Sequence, residues 1–118
     1  MHIRRHHECE EFVARDNSIL RELLHPDKAD LDLRYSLAHA TVQPGAVTLP
    51  HALKTSEVYY IIRGEGVMSI DDEEEPVGPG QAIYIPPRSK QEIRNTGDVP
   101  LEFLCIVDPA WRVEDEYI

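Results

Sequence analysis

The sequence predicts an all-β sandwich or barrel with little helix. Short apolar runs rich in β-branched and aromatic residues recur along it, among them Val58-Tyr59-Tyr60-Ile61-Ile62, Ala82-Ile83-Tyr84-Ile85 and Leu101 to Val107. Clusters that favour turns separate them: Pro44-Gly45, Arg63-Gly64-Glu65-Gly66, Pro76 to Gly80 and Thr96-Gly97-Asp98. Strands of roughly four to eight residues punctuated in this way are the pattern of two packed antiparallel sheets.

The first segment, MHIRRHHECE, reads as a polar terminus that folds onto nothing. It holds His2, His6 and His7, but adjacent His6 and His7 would face opposite sides of a strand and could not chelate together. Glu11 to Arg15 reads as a short strand and Asp16-Asn17-Ser18 as a turn. Ile19 to Leu24 fits either a helix with Ser18 as N-cap or a strand, and its shortness favours the strand. His25-Pro26-Asp27-Lys28 ends it. Leu33 to Val42 is the next strand, with Leu33, Tyr35, Leu37, His39 and Thr41 on one face and Arg34, Ser36, Ala38, Ala40 and Val42 on the other. Either face can be the inner one, so the direction of His39 stays open.

His51 stands where a strand begins, and Glu57 opens the apolar run at Val58. An imidazole and a carboxylate at strand ends can point into one cavity, as a metal site or as an acid/base pair. After the turn at Gly64, Val67 to Ile70 is a strand. The acidic run Asp71 to Glu75 then reads as an exposed hairpin loop, followed by a turn over Pro76 to Gly80. Pro86-Pro87 stops the strand at Ala82 to Ile85. Gln91 and Ile93 share a face of the alternating stretch Lys90 to Asn95. In the last strong strand, Leu101 to Val107, Cys105 reads as a small core residue. The tail from Asp108 to Glu116 reads as loop or short helix, with Trp111 packing at a barrel mouth or on a partner.

Bulk properties bound the class. A chain of 118 residues makes one domain (1–118), and 42% hydrophobic with 29% charged residues is ordinary for a globular protein. A net charge of -10 argues against nucleic-acid and anionic-membrane partners. Cys9 and Cys105 make no disulfide framework. With no apolar leader and no membrane-length run, a cytoplasmic location is expected.

Two stretches carry a family resemblance. Gly45, His51, Glu57 and Gly64 fall on a pattern of Gly, five residues, His-x-His, three or four residues, Glu, six residues, Gly, with Leu53 at the second His. Gly80, Pro86 and Asn95 fall on a pattern of Gly, five residues, Pro-x-Gly, two residues, His, three residues, Asn, with Arg88 at the Gly and Gln91 at the His. The chain thereby resembles the cupin superfamily, in particular small single-domain microbial members of the conserved-barrel type.

That resemblance implies a jelly-roll barrel (a double-stranded β-helix). Residues 33–108 would form the barrel, 1–32 N-terminal strands able to cross onto a partner in a homodimer, and 109–118 a tail. It implies a divalent metal ion held by His51, Glu57 and Gln91, whose donors suit zinc, manganese, iron or nickel, with Glu57 moving protons and Leu53 and Tyr59 lining the pocket. A second imidazole would have to come from His25 or His39. The implied function is action on a small polar metabolite, a sugar or carboxylate. The alternative is a non-catalytic module that binds a small ligand without metal.

Overall fold

A computed structural model describes residues 1–118. Its strands are β1 (Glu11–Val13), β2 (Ile19–Leu24), β3 (Ser36–Val42), β4 (Ala52–Leu53), β5 (Ser56–Arg63), β6 (Gly66–Ile70), β7 (Glu73–Val77), β8 (Ala82–Ile85), β9 (Gln91–Asn95), β10 (Leu101–Asp108) and β11 (Glu116–Tyr117). Single 3-10 turns at His6–Glu8 and Val113–Asp115 are the whole helical content. No helix is long and apolar enough to cross a membrane. The fold is the all-β barrel that the sequence pattern predicts and the resemblance implies.

A large antiparallel sheet runs β1-β2-β3-β10-β5-β8, and a smaller one runs β7-β6-β9. Strand β10 lies at the centre of the large sheet because its alternation is the cleanest. Leu101, Phe103, Cys105 and Val107 are buried, while Glu102, Leu104 and Ile106 turn the other way. Its register sets Cys105 opposite Ala38 on one side and Tyr59 on the other. These inward side chains meet Met68 and Ile93 of the small sheet in one core, which also holds Ala40, Val42, Ile61 and Ile85. The Tyr59 and Phe103 rings pack with centroids 4.4 Å apart.

Two isolated bridges, Val47 with Arg94 and His51 with Gln91, stitch the chain after β3 to β9 and so close one side of the barrel. Sharp turns make this closure fit. At Gly64 the backbone is left-handed (φ +88°), and a Cβ there would meet the Pro100 carbonyl at 2.8 Å.

The structure departs from the sequence reading in several places. Only Asp71 and Asp72 turn; Glu73–Val77 is a strand on the edge of the small sheet, paired with β6. An edge strand exposed along most of its length needs no apolar alternation, and it tolerates Pro76, whose missing N–H costs little there. The N-terminal segment does pack. Cys9 is buried, and His6 Nε2 lies 3.1 Å from His39 Nδ1. The tail pairs back as β11 on β4, with Glu116 opposite Leu53. Strand β3 turns Ser36, Ala38, Ala40 and Val42 to the inside, which places His39 on the opposite face. Strands β1 and β2 extend the chain's own large sheet beside β3.

Candidate functional site

The inward faces of β2, β3, β5 and β10 do not meet completely at one end of the barrel. They leave a cavity of about 280 Å³. Its walls are largely apolar, with Phe12, Leu20, Leu53, Phe103, Val107 and Trp111 among them. Set into these walls are the polar side chains of Asp16, His51, Glu57 and Tyr59. An apolar pocket with a few convergent polar groups is the usual form of a small-molecule site.

Glu57 and Tyr59 reach the cavity because they occupy alternate, inward positions of β5. Glu57 is buried, and its Oε1 accepts a 3.0 Å hydrogen bond from Gln91 Nε2. The other end of that amide, Gln91 Oε1, accepts the Tyr59 hydroxyl at 2.8 Å. Burial pushes the Glu57 carboxyl up to about 8; the Gln91 amide opposes this, and the charges of Asp16 and Glu116 add to it. The carboxyl is therefore mostly protonated at neutral pH. Burial and the neighbouring Glu57 likewise hold the Tyr59 hydroxyl far above its ordinary range.

His51 is fixed by its backbone bridge to Gln91, with N–H to O distances of 3.0 and 2.7 Å in the two directions. Its ring Nδ1 is 3.0 Å from the Leu49 carbonyl, which assigns a proton to Nδ1 and makes Nε2 the ring nitrogen that faces the cavity's polar groups. Nε2 stands 3.8 Å from Asp16 Oδ2. Asp16 is held in turn by Ser18, whose backbone N–H and hydroxyl donate to Oδ1 at 3.0 and 2.6 Å. The turn before β2 thus delivers a carboxylate to the histidine. Sequence reasoning saw the turn and not its reach, although Asp followed two residues later by Ser is the local signal for such a side-chain clasp.

Two more acidic residues line the cavity that the sequence did not single out. Glu116 arrives with β11, and its Oε1 accepts the Trp111 indole N–H at 2.9 Å. Glu22 projects from β2, with Oε1 2.6 Å from Lys28 Nζ. Nothing in the local sequence marks either one. The histidines considered as spare ligands lie elsewhere. His25 is held by the Trp111 carbonyl at 2.8 Å and by the Asp27 N–H at 3.1 Å, outside this cavity. His39 bonds Glu102 at 3.1 Å on the outer side of the large sheet, where burial and then His6 lower its pKa.

The donor set does not suit a metal ion. The Gln91 oxygen is engaged by Tyr59, Leu53 brings an isobutyl group where a second imidazole would stand, and neither His25 nor His39 lines the cavity. No three His, Cys, Asp or Glu side chains converge closely enough to share an ion. Arg88, at the motif's glycine position, lies in the left-handed region that favours glycine, with φ +67°, and its N–H donates to the Leu53 carbonyl at 2.6 Å.

Comparisons with known proteins agree with this geometry at the level of the barrel. The cupin domain model matches residues 38–107. An uncharacterized protein of Methanocaldococcus jannaschii is 44% identical over 108 residues, covering 91% of this chain and 86% of its own. A glucose-6-phosphate isomerase of Thermococcus kodakarensis is 29% identical over 96 residues, 77% of this chain, which spans only 46% of that enzyme. The crystal structure of a Cupin 2 conserved barrel domain protein from Salinispora arenicola superposes with a TM-score of 0.80 at 18% identity, over 97% of this chain and 91% of that one.

Proposed function

This chain belongs to the cupin family, and from that premise we propose that its barrel binds a small hydroxyl-bearing carbonyl compound and moves protons on it without a metal. His51 acts as the base and Glu57 as the acid. The observation that carries this reading is a buried carboxyl and a histidine Nε2 backed by a carboxylate in one cavity. Glu57 keeps its proton near neutral pH because it is buried, while His51 is held by Leu49 through Nδ1 and turns Nε2 towards Asp16. Acid/base catalysis needs two groups whose environments separate them in this sense.

The remaining contacts fit the roles. When His51 Nε2 takes a proton from a carbon beside a carbonyl, the imidazolium that forms faces Asp16 at 3.8 Å, which stabilises it. Glu57 gives its proton to the carbonyl oxygen, and the carboxylate left behind still accepts the Gln91 N–H. The product of the two transfers is an enediol. Reversal at the neighbouring carbon gives the isomeric carbonyl compound, and atoms and charge balance throughout. A likeness to a glucose-6-phosphate isomerase over part of that enzyme supports a sugar-like substrate and no more.

The test is exchange of carbon-bound hydrogen for deuterium in D2O, followed by NMR on glyceraldehyde, dihydroxyacetone and a set of aldoses and ketoses. The wild type should accelerate exchange, and His51→Gln and Glu57→Gln should each slow it by about 100-fold or more. Exchange that persists unchanged in both variants would sink the reading. Zinc, manganese, iron and nickel added in turn should leave the wild-type rate where it was.

A further inference from the structure

The cavity holds more carboxylates than cations, and its cations are already paired. Asp16, Glu22, Glu57 and Glu116 line it, against Arg15 and Lys28. With Glu57 protonated, three carboxylates still face two cations. Each of those cations is spoken for: Lys28 Nζ is 2.6 Å from Glu22, and Arg15 is 3.9 Å from Glu116 Oε2. The cations are also the exposed partners, whereas the Glu22 and Glu116 side chains are only 15% and 9% exposed. An anionic group that drew Lys28 or Arg15 to itself would leave a half-buried carboxylate uncompensated, which is costly.

Two carboxylate oxygens rely on those cations alone. Glu22 Oε1 and Glu116 Oε2 are both buried, and each has only its ion-pair contact with Lys28 or Arg15, although the sister oxygen of Glu116 takes the Trp111 indole N–H. Buried carboxylate oxygens are normally satisfied, so Glu22 and Glu116 each depend on their cation for compensation. Trp111, Phe103 and Leu53 supply apolar surface close by in the same wall.

We propose that this cavity selects uncharged or cationic molecules bearing hydroxyl or amino donors and rejects phosphate esters and carboxylates, with Glu22 and Glu116 as the residues that set the preference. The proposal rests on the cavity being the ligand site and narrows its substrate class. Glu116 keeps Arg15, and Glu22 keeps Lys28, from acting as an anion anchor. A sugar would therefore enter free, not as its phosphate.

Matched pairs test it: glucose against glucose 6-phosphate, glyceraldehyde against glyceraldehyde 3-phosphate, and phenethylamine against phenylacetate. Each is titrated into the whole chain by isothermal calorimetry and ligand-observed NMR at fixed ionic strength. The neutral or cationic member of a pair should bind at least tenfold more tightly than the anionic one. Glu22→Gln with Glu116→Gln should release Lys28 and Arg15 and bring the ratio to one or invert it. The proposal falls if the anionic members bind wild type as well or better, if no member of any pair binds, or if the double variant leaves the ratio unchanged. Its failure is separable from that of the proton-transfer reading. A cavity that prefers the uncharged member yet exchanges no deuterium keeps the selectivity and loses the chemistry. One that exchanges deuterium on phosphate esters does the reverse.

Discussion

Gln91 and Glu57 are joined by a 3.0 Å hydrogen bond in which the amide donates and the carboxyl accepts. Position 91 is where the family pattern places a histidine, so a side chain expected to hold a metal instead holds the candidate acid. Because Tyr59 fixes the far end of the amide at 2.8 Å, the donor cannot turn away from Glu57 without losing both bonds. A small relay, Tyr59 to Gln91 to Glu57, thus orients one carboxyl in an apolar wall.

Glu57 should make stability fall as pH rises. Its carboxyl titrates at about 8 when folded and near the ordinary 4.5 when unfolded, so the native state binds the extra proton. Its full contribution is present below pH 4.5 and is lost progressively up to pH 8 and above. Glu57→Gln, which keeps the shape and removes the charge, should therefore raise the melting temperature relative to wild type at pH 8.5. The difference should shrink towards zero at pH 4.5. A constant difference across that range, measured by calorimetry, would show that Glu57 is not the titrating group.

Restoring the two imidazoles should create the metal site that the present donors do not form. Leu53 lines the cavity, and Gln91 lies beside Glu57. The double variant Leu53→His with Gln91→His should bind zinc at least 100-fold more tightly than wild type in a competition titration with a chromophoric chelator. Equal affinities would mean that these two positions do not project to a common point with His51.

Arg88 occupies the left-handed region at φ +67°, which costs a residue with a Cβ roughly 1–2 kcal/mol. Arg88→Gly relieves that strain but gives the unfolded chain more freedom, an opposing effect of roughly 0.4–1 kcal/mol. The net expectation is between no change and a gain of roughly 1.6 kcal/mol in urea unfolding with no change in the slope. A loss larger than that would assign Arg88 a contact that offsets its backbone.

The barrel was legible in the sequence because it is built from local, repeated signals. Alternation along Leu101 to Val107 dictates a strand with one buried face, and Gly64 marks a turn where the Pro100 carbonyl leaves no room for a Cβ. The motif spacing likewise identified His51, Glu57 and Gln91 as neighbours. Strand β7 escaped notice for the same physical reason in reverse: an exposed edge strand carries no apolar alternation to detect.

Tertiary structure alone decided how those neighbours are buried and which groups they face. Whether His39 faced in or out depended on which side of β3 met β10, a choice that its two balanced faces left open. Asp16 and Glu116 come from a turn and a tail far apart in the chain, and only the folded barrel brings both to the cavity that holds Glu57. The proton on Glu57 follows from its burial among these groups, and burial is a property of the assembled walls rather than of the residue. Side-chain alternation is written in adjacent residues and so fixes the barrel locally, whereas electrostatic environment is a sum over distant segments and exists only once they pack.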